Sequence, residues 1–91
     1  MLTHVVLMRL KDPADAPAAR EMLAALATDV PQCRTLRVGV DTGRGPHSWD
    51  LALITTHDDA EALAAYQAHP RHQEVVSWLG PRIAQRAIVD F

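Results

Sequence analysis

A tyrosine, two histidines and a proline crowd the stretch AYQAHPRHQEVV, residues 65–76, inside an otherwise Ala- and Val-rich helical region. The residue before a proline is driven out of the α region, so His69 is expected to end one helix. Pro70 then takes the first position of the next helix, with His69 as its cap and His72 in its first turn. The positive end of the helix dipole disfavours imidazolium there, so His72 is expected to stay neutral near pH 7. A neutral imidazole accepts a proton, and Tyr66, one turn before the break, can orient it or donate to a substrate oxygen. The chemistry open to this pair is acid–base catalysis, with His72 taking the proton. His4 is the third candidate: it shares a strand face with Val6 and Met8, where a solvated histidine has no obvious reason to be.

Two other readings of the same residues compete. Tyr66, His69 and His72 would equally satisfy orphan N–H groups at the break and fill the join, with no chemistry at all. His-x-x-His also offers two nitrogens at helical spacing, but a metal needs at least a third fixed ligand, for which His4, Asp50 and Asp90 are the candidates. No metal is assigned on that basis. No haem or flavin motif is present, so no cofactor is expected either. His47 and His57 fall at strand ends, where they are expected to be exposed, and receive no role.

The elements that must position these side chains are legible from pattern. β-branched and apolar residues without helical spacing predict strands over residues 3–11, 33–41 and 49–57, and a last one within 85–91. Helices are expected over 15–30, with Asp15 at the cap and Pro17 in the first turn, and then over 60–68 and 70–79 on either side of the break. The order β-α-β-β-α-α-β is two split β-α-β units, an α+β, ferredoxin-like fold with a four-stranded antiparallel sheet and helices on one face. That order sets the first and last strands side by side and antiparallel, so His4 should lie near Asp90, a pairing that fixes an imidazole tautomer.

Strand parity divides the sheet into two faces. Val6, Met8, Asp50, Ile54 and Asp90 are expected on the face beneath the helices, where with His69 at the break they would line or support the pocket. Val5, Leu7, Leu51, Leu53, Val89 and Phe91 are expected on the other. Both faces are substantially apolar, unlike a half-exposed antiparallel sheet. One copy's helices cover only one of them, so the second is expected to meet a second copy of the same sheet in a homodimer.

The chain has 91 residues, enough for one domain over 1–91. A domain of this size buries only roughly 60–65% of its unfolded surface, which makes a partner copy a useful supplement to the core. A formal net charge of −2 with no block of like charge provides no footprint for nucleic acid or for an anionic membrane. No basic leader with an apolar run follows Met1, and no apolar stretch approaches the roughly 20 residues of a membrane span. The single cysteine, Cys33, fits a reducing cytoplasm, where it would act as a small apolar filler.

Three stretches, HVVLMRLKD at residues 4–12, WDLALITTHDDAEALAAYQAHPRHQEVV at 49–76 and IVDF at 88–91, closely resemble the stress-responsive A/B barrel domain, or Dabb, family. The Tyr-x-x-His-Pro-x-His segment and the final Val-Asp-Phe carry the resemblance most specifically. It implies a dimeric α+β barrel, with the sheets of two copies facing each other. Within the family the chain is similar to polyketide cyclases of the olivetolic acid cyclase type. That similarity implies a pocket between helices and sheet, with Tyr66, His72 and His4 as its site residues. The implied activity is a cofactor-free cyclase or isomerase acting on a small apolar carbonyl or polyketide-like compound. The alternative is a noncatalytic stress-response or ligand-binding barrel, since most members are known only as small stress-associated proteins.

Overall fold

Apolar residues at the start of the chain form strand β1, Leu2–Leu10, in a computed structural model that describes Met1–Phe91. Helix α1 follows at Ala16–Asp29, then strands β2, Thr35–Val40, and β3, Leu51–His57. Two helices, α2 at Ala60–Ala68 and α3 at Pro70–Leu79, lead to the last strand, β4, Ile83–Asp90. The sheet runs β2-β3-β1-β4 with every pair antiparallel. This is the ferredoxin-like α+β topology expected from the element order.

The helices lie over one face of the sheet. Their buried residues, among them Leu23 and Leu26 of α1, Leu63 and Tyr66 of α2 and Val75 and Leu79 of α3, join Val6, Met8, Leu51 and Leu53 in one core. β1 and β4 pair with His4 opposite Asp90, Val6 opposite Ile88 and Met8 opposite Arg86. The ladder continues past β4, where Thr3 and Phe91 exchange both backbone bonds at 2.7 and 2.9 Å.

The register of β3 corrects the expected division of the faces. Leu53 lies opposite Val6, Leu51 opposite Met8 and Thr55 opposite His4. Directly opposed residues of an antiparallel pair share a face. Leu51 and Leu53 therefore point to the helices and are buried, while Ile54, opposite Val5, points away from them and is 39% exposed. The outward face carries Val5, Leu7, Ala52, Ile54, Val89 and Phe91, an apolar strip with Arg37 opposite Ile54 and Arg9 opposite Gln85 on the same side. Alternation alone could not choose, because β3 carries apolar side chains on both sides.

Local chemistry sets the helix ends. Asp15 occupies the N-cap position of α1 without a capping bond, and Asp12 caps the preceding 3-10 turn by accepting from the Ala14 N–H at 3.0 Å. Asp59 caps α2 by accepting from the Ala62 N–H at 2.8 Å. Its neighbour Asp58 holds Arg34 instead, in a two-bond pair at 2.8 Å each. His69 serves two helices at once. Extended at φ −62°, ψ 138°, it ends α2, and its Nδ1 accepts from the Arg71 N–H at 3.1 Å to start α3.

Candidate functional site

Pro70 permits no α conformation before it with ease, and that single restriction turns α3 away from α2. The turn brings Tyr66, on the last turn of α2, against His72, on the first turn of α3, with ring centroids 4.7 Å apart. His4 reaches the same place from β1. All three line a cavity of about 100 Å³ whose walls are mostly apolar, with Val6, Met8, Leu53, Val75 and Leu79 among them. It opens between α3 and β4, where Val76 and Ile88 are 41% and 48% exposed.

The polar groups inside are unusual in one respect. Tyr66 is fully buried, yet its hydroxyl has no hydrogen-bond partner in the protein, and neither has the buried Nδ1 of His72. Buried polar atoms are nearly always paired, because stripping them of water without compensation is unfavourable. Burial holds the Tyr66 hydroxyl well above the ordinary phenol range, with Cys33 adding to the shift. Tyr66 is therefore a donor and not a base. Burial likewise lowers the pKa of His72; His4 across the cavity pushes the same way and the Gln67 backbone acts against them. Neutrality of His72 at pH 7 thus comes from burial first, where the sequence pointed to the helix dipole.

His4 is buried and its Nδ1 pairs with the Asp90 carboxylate across β1 and β4. With Asp90 as the acceptor, Nδ1 carries the proton and Nε2 keeps its lone pair, so the carboxylate fixes the tautomer.

The remaining expected residues separate into those the fold gathers and those it does not. Val6 and Met8 line the cavity. Asp90 supports it through His4, and His69 caps α3 outside it. Asp50 is buried at the other end of β1, where it accepts from the Leu10 N–H at 2.7 Å and from Arg44 at 3.2 Å. It anchors the loop after β2 and does not reach the cavity. Ile54 is excluded by the β3 register. Leu53, expected on the partner face, is a wall.

His57, expected to be exposed, is fully buried. Its Nδ1 donates to the Gln32 carbonyl at 2.8 Å and its Nε2 accepts from the Thr55 hydroxyl at 2.8 Å. Its ring lies 4.9 Å from Tyr66 and 6.5 Å from His4, so it backs the tyrosine as a fixed wedge. The signal for it was available: His57 shares its parity with Leu51, Leu53 and Thr55. No group of three His, Cys, Asp or Glu side chains is placed to hold a metal ion, since Asp50 is remote and His69 faces its own helix.

Comparison with known proteins agrees with this architecture. The family model of the stress-responsive A/B barrel domain matches residues 2–91. An uncharacterized protein of Streptomyces coelicolor is 32% identical over 96 aligned residues, spanning 100% of this chain and 98% of that protein. A dimeric ferredoxin-like protein of unknown function from Thermobifida fusca superposes with a TM-score of 0.87 at 27% identity, over 99% of this chain and 88% of that one. A hydroxynitrile lyase from Passiflora edulis shares the fold alone, at a TM-score of 0.83 and 14% identity over 99% of this chain and 90% of its own. No helix of the chain is long and apolar enough to cross a membrane. The family match over nearly every residue, on the topology that its sequence pattern requires, shows that this chain belongs to the stress-responsive A/B barrel domain family.

Proposed function

We propose that the cavity is a cofactor-free acid–base site that binds a small apolar carbonyl compound and moves a proton at the carbon beside the carbonyl, as a cyclase or isomerase does. One observation carries this reading: the Tyr66 hydroxyl and the His72 Nδ1 are both buried without a protein partner, on two residues that line one apolar cavity. A ligand oxygen and an acidic C–H are the complements that such a pair lacks. His72, neutral near pH 7, takes the proton. Tyr66, held protonated, donates to the oxygen as negative charge develops on it. The His4 and Asp90 pair keeps a third imidazole oriented at the same wall, where its Nε2 lone pair positions the ligand as an acceptor. The Passiflora edulis enzyme supports the reading only as an instance of a lyase on this fold.

The second reading, a noncatalytic binding or stress-response protein, is favoured by size. The cavity, at about 100 Å³, is below the roughly 300–1,000 Å³ of drug-sized sites. It suits a small ligand or the end of a longer one, since an apolar cavity of about 150 Å³ accepts benzene. Exchange of carbon-bound hydrogen for deuterium in a small 1,3-diketone, followed by NMR, separates the two. Exchange that the protein accelerates and His72→Ala abolishes supports acid–base chemistry. Binding of the diketone without acceleration leaves the noncatalytic reading.

The working form is proposed to be a homodimer built on the outward sheet face. Leu7, Ile54, Val89 and Phe91 are 41%, 39%, 61% and 72% exposed there, and a cluster of large apolar side chains on one sheet face is a surface suited to a partner. The Thermobifida fusca protein of the same fold is dimeric. Light scattering tests the assignment, and a monomeric protein at micromolar concentration would overturn it.

A further inference from the structure

Most arginines of this chain have a partner. Arg34 pairs with Asp58, Arg44 with Asp50, and Arg71 with Asp29 and Glu74. Arg9 bonds Gln85 and stacks on Trp49, while Arg82 bonds the Trp78 carbonyl and stacks on that ring. Arg37 and Arg86 make none of these contacts, and of the two Arg86 lines the cavity. On β4 it lies opposite Met8, two residues from Ile88 and four from Asp90, all on the helix-covered face. At about 3.3 Å per strand residue, its Cα stands about 13 Å from that of Asp90, which marks the end held by His4. The long side chain can close part of that gap.

The lining therefore carries two sets of polar groups, Tyr66, His72 and His4 in one and Arg86, exposed and without a counterion, in the other, with apolar residues making up most of the rest. Arginine presents a planar fork of donors that matches a carboxylate or phosphate. A neutral ketone would leave that fork unused.

We propose that Arg86 is the anion-binding end of this site, so that the ligand is an amphiphilic acid whose carbonyl meets Tyr66 and His72 and whose carboxylate or phosphate meets Arg86. The inference rests on the ligand-binding reading above and adds the class of ligand to it. A short apolar segment must separate the two groups in order to pass Ile88 and the Val6 and Met8 wall.

The test compares 7-oxooctanoate, its methyl ester and 6-oxoheptyl phosphate by isothermal titration calorimetry, with the wild-type protein and Arg86→Gln. The wild type should bind the acid about tenfold more tightly than the ester, the size of one charge-assisted pair at a partly exposed site. Arg86→Gln should bind acid and ester alike, with ester affinity unchanged, which also shows that its cavity is intact. The tighter of the carboxylate and phosphate arms names the anion. The preference should shrink as salt is raised, because the pair is open to solvent. Equal binding of acid and ester by the wild type, or a preference that survives in Arg86→Gln, overturns the role of Arg86 while leaving the cavity a ligand site. Failure of both acid and ester to bind the wild type overturns the ligand-binding reading together with this one.

Discussion

Tyr66→Phe removes one buried oxygen that holds nothing in place. Tyr66 is the largest fully buried side chain of the core, its ring is packed against His57 and His72, and its hydroxyl is unpaired. Phenylalanine keeps the ring and its contacts. A hydroxyl buried without a partner is unfavourable by about 1–3 kcal/mol on mutational scales, so the variant should be more stable by about 1–2 kcal/mol. For a domain of 60–100 residues each kcal/mol moves the Tm by about 4–8 °C, so a rise of at least about 4 °C is expected. Scanning calorimetry and urea denaturation at one fixed protein concentration measure it, since association would otherwise shift the midpoint. The same variant should lose acceleration of hydrogen exchange in the diketone. Stability gained as function is lost is the mark of a strained functional group. A Tm lower by several degrees would refute the reasoning, because the hydroxyl would then be holding the join between α2 and α3 together.

The other expectations can be checked on the same footing. Burial lowers the pKa of His72 from its ordinary value of 6.5, so the folded protein holds this group neutral while the unfolded chain protonates it. Its contribution to stability is present above the unfolded pKa and lost as pH falls through that value toward the folded one, since there the unfolded state binds more protons. His72→Gln should flatten that loss in urea midpoints measured from about pH 7 to about pH 5, and an unchanged pH profile would count against a buried neutral imidazole. Leu53→Ala should lower stability by about 2–5 kcal/mol as a core truncation. Ile54→Asp should instead leave the fold and give monomer in light scattering, and a dimer as tight as the parent would exclude this face. His69→Asn should keep the α3 cap, whereas His69→Ala should lower stability by about 1 kcal/mol in thermal melts; an alanine variant as stable as the parent would show that the Nδ1 bond carries nothing.

Local rules account for what could be read early. The order of elements follows from runs of apolar and β-branched residues and from Pro, Gly and Asp breaks, and α2 and α3 begin and end where the pattern puts them. The break itself needs only the steric clash between Pro70 and a helical His69, a matter of neighbouring atoms. The approach of His4 to Asp90 needed one further step, the adjacency of first and last strands that this topology imposes. The limit of such rules lies in β3. Leu51, Leu53 and Thr55 alternate with Ala52, Ile54 and Thr56, and both sets are acceptable to a core. A shift of one residue exchanges the faces, so the choice rests on register against β1 and not on β3 itself. With that register come the burial of His57, the removal of Ile54 from the cavity and the reassignment of Leu53 from partner face to wall. Partner counting is equally non-local. That the Tyr66 hydroxyl, the His72 Nδ1 and the Arg86 guanidinium lack partners depends on every chain segment that passes them, so only the assembled structure could single them out.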